Sequence, residues 1–120
     1  MTEKQNPKRY DLEDRTYEFA KRVRRFVGRL KNSPANIEDR RQLVRSSGSV
    51  GANYIEANES LSKKDFIMRV KISKKEAKES HYWLKLTTPT KNYDSFRTEL
   101  MCECDELMKI FGTIIRNTNV

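Results

Sequence analysis

The side chains in this chain that could take part in chemistry are His81, Cys102, Cys104, Glu56, Glu79 and a set of lysines between residues 64 and 85. His81 is the single histidine; its neighbours are Tyr82 and Trp83, and no serine or cysteine is placed to act with it as a nucleophile. Cys102 and Cys104 are the two cysteines. On a helix, residues two apart diverge by about 200°, so they do not bridge, and with one histidine no zinc set can be assembled. Both are expected as thiols, Cys104 on the core side. Glu56 and Glu79 would make a general acid–base pair only if they converged, and no ExxH spacing accompanies them. Glu79 falls between Ile72 and Trp83 in an apolar stripe, where a carboxylate needs a partner; an Arg or Lys of a neighbouring helix or chain is expected. The expectation is therefore no enzyme: no catalytic residue, no metal site and no cofactor.

The lysines point elsewhere. At about 100° per residue, Lys64, Lys71, Lys74, Lys75, Lys78 and Lys85 fall within about 100° of arc, and Tyr82 shares their sector. Arg22 and Arg25 lie off the buried stripe of an earlier helix, together with Lys21, Arg24 and Arg29. The formal net charge is +8. Such a surplus favours polyanions, and a lysine row with an aromatic beside it suits phosphate tracking with base stacking on Tyr82. The competing reading is a solvated lysine face that keeps a helical oligomer soluble.

These residues need elements to hold them. A chain of 120 residues suits one domain. Its 36% hydrophobic and 35% charged content describes a lean core inside a charged surface, the balance of amphipathic helices. Residues 1–9 read as a flexible arm and 10–120 as a single domain. From Asp11 to Lys31 the apolar positions Leu12, Phe19, Val23, Phe26, Val27 and Leu30 recur in threes and fours, with Thr16 in the gap. Pro34 interrupts, with Asn36 as the expected cap of the next helix. Ser62 and Asp65 resemble a capping box for a helix over Lys63 to Thr87. Pro89 breaks that helix, and Asp94 is the expected cap of a last one carrying Phe96, Leu100, Cys104, Leu107 and Phe111. No strand alternation appears. The reading is all-α, an antiparallel up-down-up-down four-helix bundle. No run of about 18 apolar residues offers a membrane span, and MTEKQNPKRYDLEDR lacks a signal peptide's apolar segment, so a cytoplasmic protein with no membrane partner is expected.

The stretch RSSGSVGANYIEANES, residues 45–60, admits three readings: phosphate loop, linker or helix. It has no Gly-Lys-Ser/Thr ending and no strand before it, which argues against the first. Spacing argues against the second. Ile37, Val44, Gly48, Gly51 and Ile55 lie within about 60° of one another, with Leu43, Val50, Tyr54 and Ala57 as an adjoining set. One helix over 37–58 with a wide buried face accommodates both. Ser47, Gly48, Gly51 and Ala52 would then let a neighbouring backbone approach, at about 1 kcal/mol per helical glycine relative to alanine.

The third helix carries two apolar sets. Phe66, Val70, Ala77 and Leu84 make one; Met68, Ile72, Trp83 and Leu86 lie nearly opposite, with Glu79 among them. A bundle helix needs one apolar face. The second set is expected to meet another chain, a ligand or a wrapped loop. Trp83 is the candidate interface anchor, since large aromatics dominate such contacts, and the competing reading is that it covers a loop locally.

Arg45, Ser46, Ser47, Ser49, Val50, Asn53, Ile55 and Glu56 resemble a signature of the bacterial four helix bundle proteins, the intervening-sequence proteins of 23S ribosomal RNA genes. KKDFIMRVKISKKEAKESHYWLKL resembles that family's third helix, including Phe66, Ala77, Glu79 and Leu84. Asn58 departs from the family's frequent Gly. The resemblance implies an antiparallel bundle assembled as a ring, commonly a homopentamer, with no known enzymatic activity. Similar bundles act beside reverse transcriptases in diversity-generating retroelements, where they bind RNA and protein. The function expected is thus a non-enzymatic oligomer that binds RNA or DNA through its basic surface, or alternatively an interaction scaffold or accessory subunit for a protein such as a reverse transcriptase.

Overall fold

Serines set the starts of the two central helices. The Ser33 hydroxyl accepts from the Asn36 N–H at 3.1 Å, and Pro34 supplies the preset φ of the first helical turn. Ser62 accepts from the Asp65 N–H, also at 3.1 Å, with the Asp65 carboxylate facing the positive end of its helix. The computed structural model describes residues 7–119, as α1 (Pro7–Val27), α2 (Pro34–Asn58), α3 (Lys63–Leu86) and α4 (Asp94–Thr118), with a single 3-10 turn at Lys91–Tyr93 before α4. There is no strand among the described residues. Of the expected arm over 1–9, residues 7–9 belong to α1, and 1–6 lie outside the described residues.

The four helices pack in sequence, α1 on α2, α2 on α3 and α3 on α4, and α4 returns to α1 with the lightest contact of the four. This is the up-down arrangement, with α1 diagonally across from α3. The molecule measures 45 × 32 × 19 Å, and its short axis is about two helix diameters. Phe19, Val23 and Phe26 of α1 meet Leu43 and Val50 of α2, Val70 and Leu84 of α3, and Leu100, Leu107 and Phe111 of α4 in one core. Each large apolar side chain so buried contributes about 1.5–3 kcal/mol. Phe26 and Phe96 pack edge to face at 5.9 Å.

The α2–α3 seam is built from small hydroxyls. Ser46, Ser73 and Ser80 are fully buried. The Ser73 hydroxyl donates to the Val50 carbonyl at 2.9 Å, and the Ser46 and Ser80 hydroxyls meet at 2.8 Å. A side chain that short reaches a neighbouring helix's backbone only if the two helices lie close, and its burial is tolerable because the hydroxyl is paired.

Three expectations for α2 change. Ile37 and Ile55 are exposed, because the face holding Leu43, Val50, Tyr54 and Ala57 is the one that turns inward. Ala52 is exposed rather than packed in a helix seam. Gly48 is half-buried beside open space: a Cβ there would find only the Arg24 guanidinium, at 3.8 Å. Gly51 is where the close approach occurs, since its Cβ would sit 2.9 Å from Thr16 Oγ1 and 3.2 Å from Thr16 Cβ.

The expected caps shift by a residue or three. Asn36 lies one turn inside α2, buried, and its side chain spans two loops: Nδ2–H donates to the carbonyls of Lys31 and Thr88, and Oδ1 accepts from the Thr88 N–H. The cap position of α4 is Tyr93, and Asp94 instead accepts from Arg97 at 2.9 Å. α1 ends at Val27 rather than Lys31, its last carbonyls met by tight turns at Arg29 and Leu30.

Candidate nucleic-acid interface

α3 presents its lysines because its other sides are taken. Val70, Ser73, Ala77, Ser80 and Leu84 are buried against the bundle, and the opposite face is left to solvent. All six lysines of the expected row are exposed, as is Tyr82 at 55%. Lys64, Lys71, Lys78 and Lys85 stand seven residues apart, which sets them at about 10.5 Å intervals along the axis, drifting by about 20° per step. The row therefore runs for about 31 Å.

Arg45 explains why this face is so uncompensated. α3 carries Glu76 and Glu79 close to the lysines in sequence, but both turn toward α2, where Arg45 pairs with Glu79 and, at 3.5 Å, with Glu76. None of the six lysines makes an ion pair with a described carboxylate. Glu79 is held as well by the Trp83 indole N–H at 2.9 Å. That hydrogen bond and the one from Arg45 keep the Glu79 carboxyl below its ordinary range, and Glu79 in turn raises the guanidinium of Arg45. The partner expected for Glu79 is therefore within the chain. Trp83 also meets Tyr82, with ring centroids 5.2 Å apart and planes at 71°. Arg45, Glu79, Trp83 and Tyr82 thus form one continuous line from α2 to the outer face of α3.

Other expected residues do not join this surface. Arg22 donates to Glu99 at 3.0 Å and lies over the Phe96 ring at 5.6 Å, so it is committed to the α1–α4 seam beside the bidentate Arg15–Glu103 pair. Arg25 is exposed, but on the helix diagonally opposite α3. One basic surface holding Arg22, Arg25 and the lysines together is not formed. In the second apolar set, Met68 and Leu86 are exposed at 52% and 47%, whereas Ile72, Glu79 and Trp83 are half-buried. Trp83 packs against the core and has its N–H satisfied, so part of the side chain is covered within the chain itself. More apolar surface is open on α1 and α2, at Tyr17, Ile37 and Ile55. The off-stripe position of Tyr17 on α1 was the available signal for that face.

No catalytic arrangement gathers around the remaining candidates. His81 Nε2 is 3.8 Å from Asp105 Oδ1, beyond hydrogen-bond reach. Cys104 is buried in the core, which pushes its thiol well above the ordinary range, and Cys102 is exposed. Glu56 is exposed on α2 and does not meet Glu79. Among the described residues no group of His, Cys, Asp and Glu is placed to hold a metal ion. No described helix is long and apolar enough to cross a membrane.

The family model described as 23S rRNA-intervening sequence protein matches residues 8–113. A solved crystal structure of a protein of unknown function from the S23 ribosomal protein family of Bacteroides thetaiotaomicron is 32% identical, with a TM-score of 0.79 over 91% of this chain and 98% of that one. No curated protein matches. The chain belongs to the 23S rRNA-intervening sequence protein family.

Proposed function

We propose that this member of the 23S rRNA-intervening sequence protein family is a non-enzymatic homo-oligomer, a pentamer in the pattern its resemblance implies, that binds RNA or DNA. The phosphate backbone lies along the lysine face of α3. The observation that carries this reading is the row of six exposed lysines, about 31 Å long and in no ion pair with a described carboxylate, on a helix whose Glu76 and Glu79 are drawn toward α2 by Arg45. Every copy in an oligomer repeats the row, so the field it presents grows with assembly. A labelled RNA and a labelled DNA of mixed sequence, titrated with the protein at rising salt, test it. Binding that is tight at low salt and falls linearly on a log–log plot is expected. Absence of binding to either at low salt refutes it.

A protein contact is the second reading, favoured by the exposed apolar residues Tyr17, Ile37 and Ile55 on one side and Met68 and Leu86 on the other. The lysine face would repel its own copy, whereas the outer face of α2 mixes Arg41 and Arg45 with Glu38 and Glu56 and suits self-contact better. Sedimentation of the wild type, of Ile37→Glu/Ile55→Glu and of Met68→Glu/Leu86→Glu decides which stripe assembles. A monomeric wild type removes the oligomer.

A further inference from the structure

We infer that the lysine face of α3 takes unpaired nucleic acid in preference to duplex, with Tyr82 as the stacking platform for a splayed base. The inference rests on the nucleic-acid reading above and names the strand form that this site selects. Tyr82 is 55% exposed, near the C-terminal end of the cationic row between Lys78 and Lys85, a position where an aromatic ring has no core to fill. Lys78 and Lys85 flank it at one turn on either side, so a phosphate on each lysine brackets a base lying over the ring. These steps are about 6 and 4.5 Å along the helix axis.

The ring is also held. Its neighbour Trp83 meets it nearly at right angles, 5.2 Å away, while the Trp83 indole N–H is fixed to Glu79 and Glu79 to Arg45 of α2. A platform whose support is braced by a second helix loses little freedom when a base lands on it. Arg45, Glu79 and Trp83 are positioning residues in this scheme, and Tyr82 is the one that touches the ligand. A duplex keeps its bases stacked inside and gives Tyr82 nothing to receive, leaving only lysine–phosphate contacts.

The test compares a single-stranded RNA homopolymer with the same strand annealed to its complement. Wild type should favour the single strand. Tyr82→Ala should weaken single-strand binding by about 5- to 150-fold and leave duplex binding unchanged, while Tyr82→Phe should keep the preference. Arg45→Met should lower the single-strand to duplex ratio, Arg45→Lys should restore part of it, and Arg41→Met, which removes the same charge elsewhere on α2, should not change the ratio. If wild type binds both forms equally and Tyr82→Ala changes neither, the stacking inference is overturned and the phosphate reading stands. Wild type binding neither form at low salt overturns both.

Discussion

Replacing Lys71, Lys75 and Lys78 together by Gln should weaken nucleic-acid binding and strengthen the fold at once. Gln and Lys have nearly equal helix propensity, and all three positions are exposed, so α3 should form unaltered. For a single strand, each neutralised phosphate contributes about 0.7 to the slope of log affinity against log salt. Six engaged lysines give a slope of about 4, and three leave about 2. Raising salt from about 50 to about 150 mM then costs the wild type roughly 100-fold in affinity and the triple variant roughly 10-fold. Within the helix, Lys71–Lys75, Lys74–Lys78, Lys71–Lys74 and Lys75–Lys78 are like-charge neighbours at three and four residues. Each costs about 0.2–0.5 kcal/mol, and losing the attraction of Lys75 for Glu79 four residues on offsets one of them, so the net stabilisation should be roughly 0.5–1.5 kcal/mol. Fluorescence anisotropy across a salt series and thermal melting by circular dichroism read the two effects. Parallel salt lines for the two proteins would refute the phosphate row, and a lower melting temperature in the variant would refute the account of an uncompensated face.

Gly51→Ala should destabilise by about 1–3 kcal/mol, because its methyl meets Thr16 Oγ1 at 2.9 Å, and Thr16→Ala in the same chain should relieve part of that loss. Gly48→Ala should instead stabilise by up to about 1 kcal/mol, with only the flexible Arg24 tip nearby; chemical denaturation of the pair separates the cases. Glu79 has its carboxyl lowered by Trp83 and Arg45. Its stabilisation is therefore present above the ordinary glutamate range and lost as pH falls through the lowered value. Glu79→Gln should flatten the acid side of the stability–pH curve, by a modest amount since the side chain is 35% exposed; an unchanged acid limb would count against the network. Under native conditions a thiol reagent should modify Cys102 quickly and Cys104 only at the rate of unfolding, and equal rates would contradict the buried placement of Cys104.

Where a helix buries one stripe of large side chains, as α1 does with Phe19, Val23 and Phe26 and α4 with Leu100, Leu107 and Phe111, periodicity located both the helix and its inward face. α2 was harder because small residues lie on several of its sides. Gly48 and Gly51 look alike in sequence, yet one borders open space and the other touches Thr16, a difference set by where α1 lies. The lysine sector followed from helical arithmetic alone, since exposure of that face needs only a core on the other side. Two facts of the site required tertiary structure: Arg22 sits diagonally across the bundle, and Arg45 is the group that claims Glu79. Sequence indicated that Glu79 needed a cation and left open which one, because the rotation of α2 against α3 depends on the Ser46, Ser73 and Ser80 contacts.

Asn36 ties the α1–α2 and α3–α4 loops together at one end of the bundle through three hydrogen bonds. At the opposite end residues 59–62 turn between α2 and α3; Asn58 there donates to Glu13 of α1 at 2.7 Å, and Leu61 projects fully exposed. A new peptide spliced in at Leu61, or a chain reopened there to give relocated termini, would leave the knotted end and the cationic flank intact, whereas the same surgery beside Asn36 would loosen both connections at once.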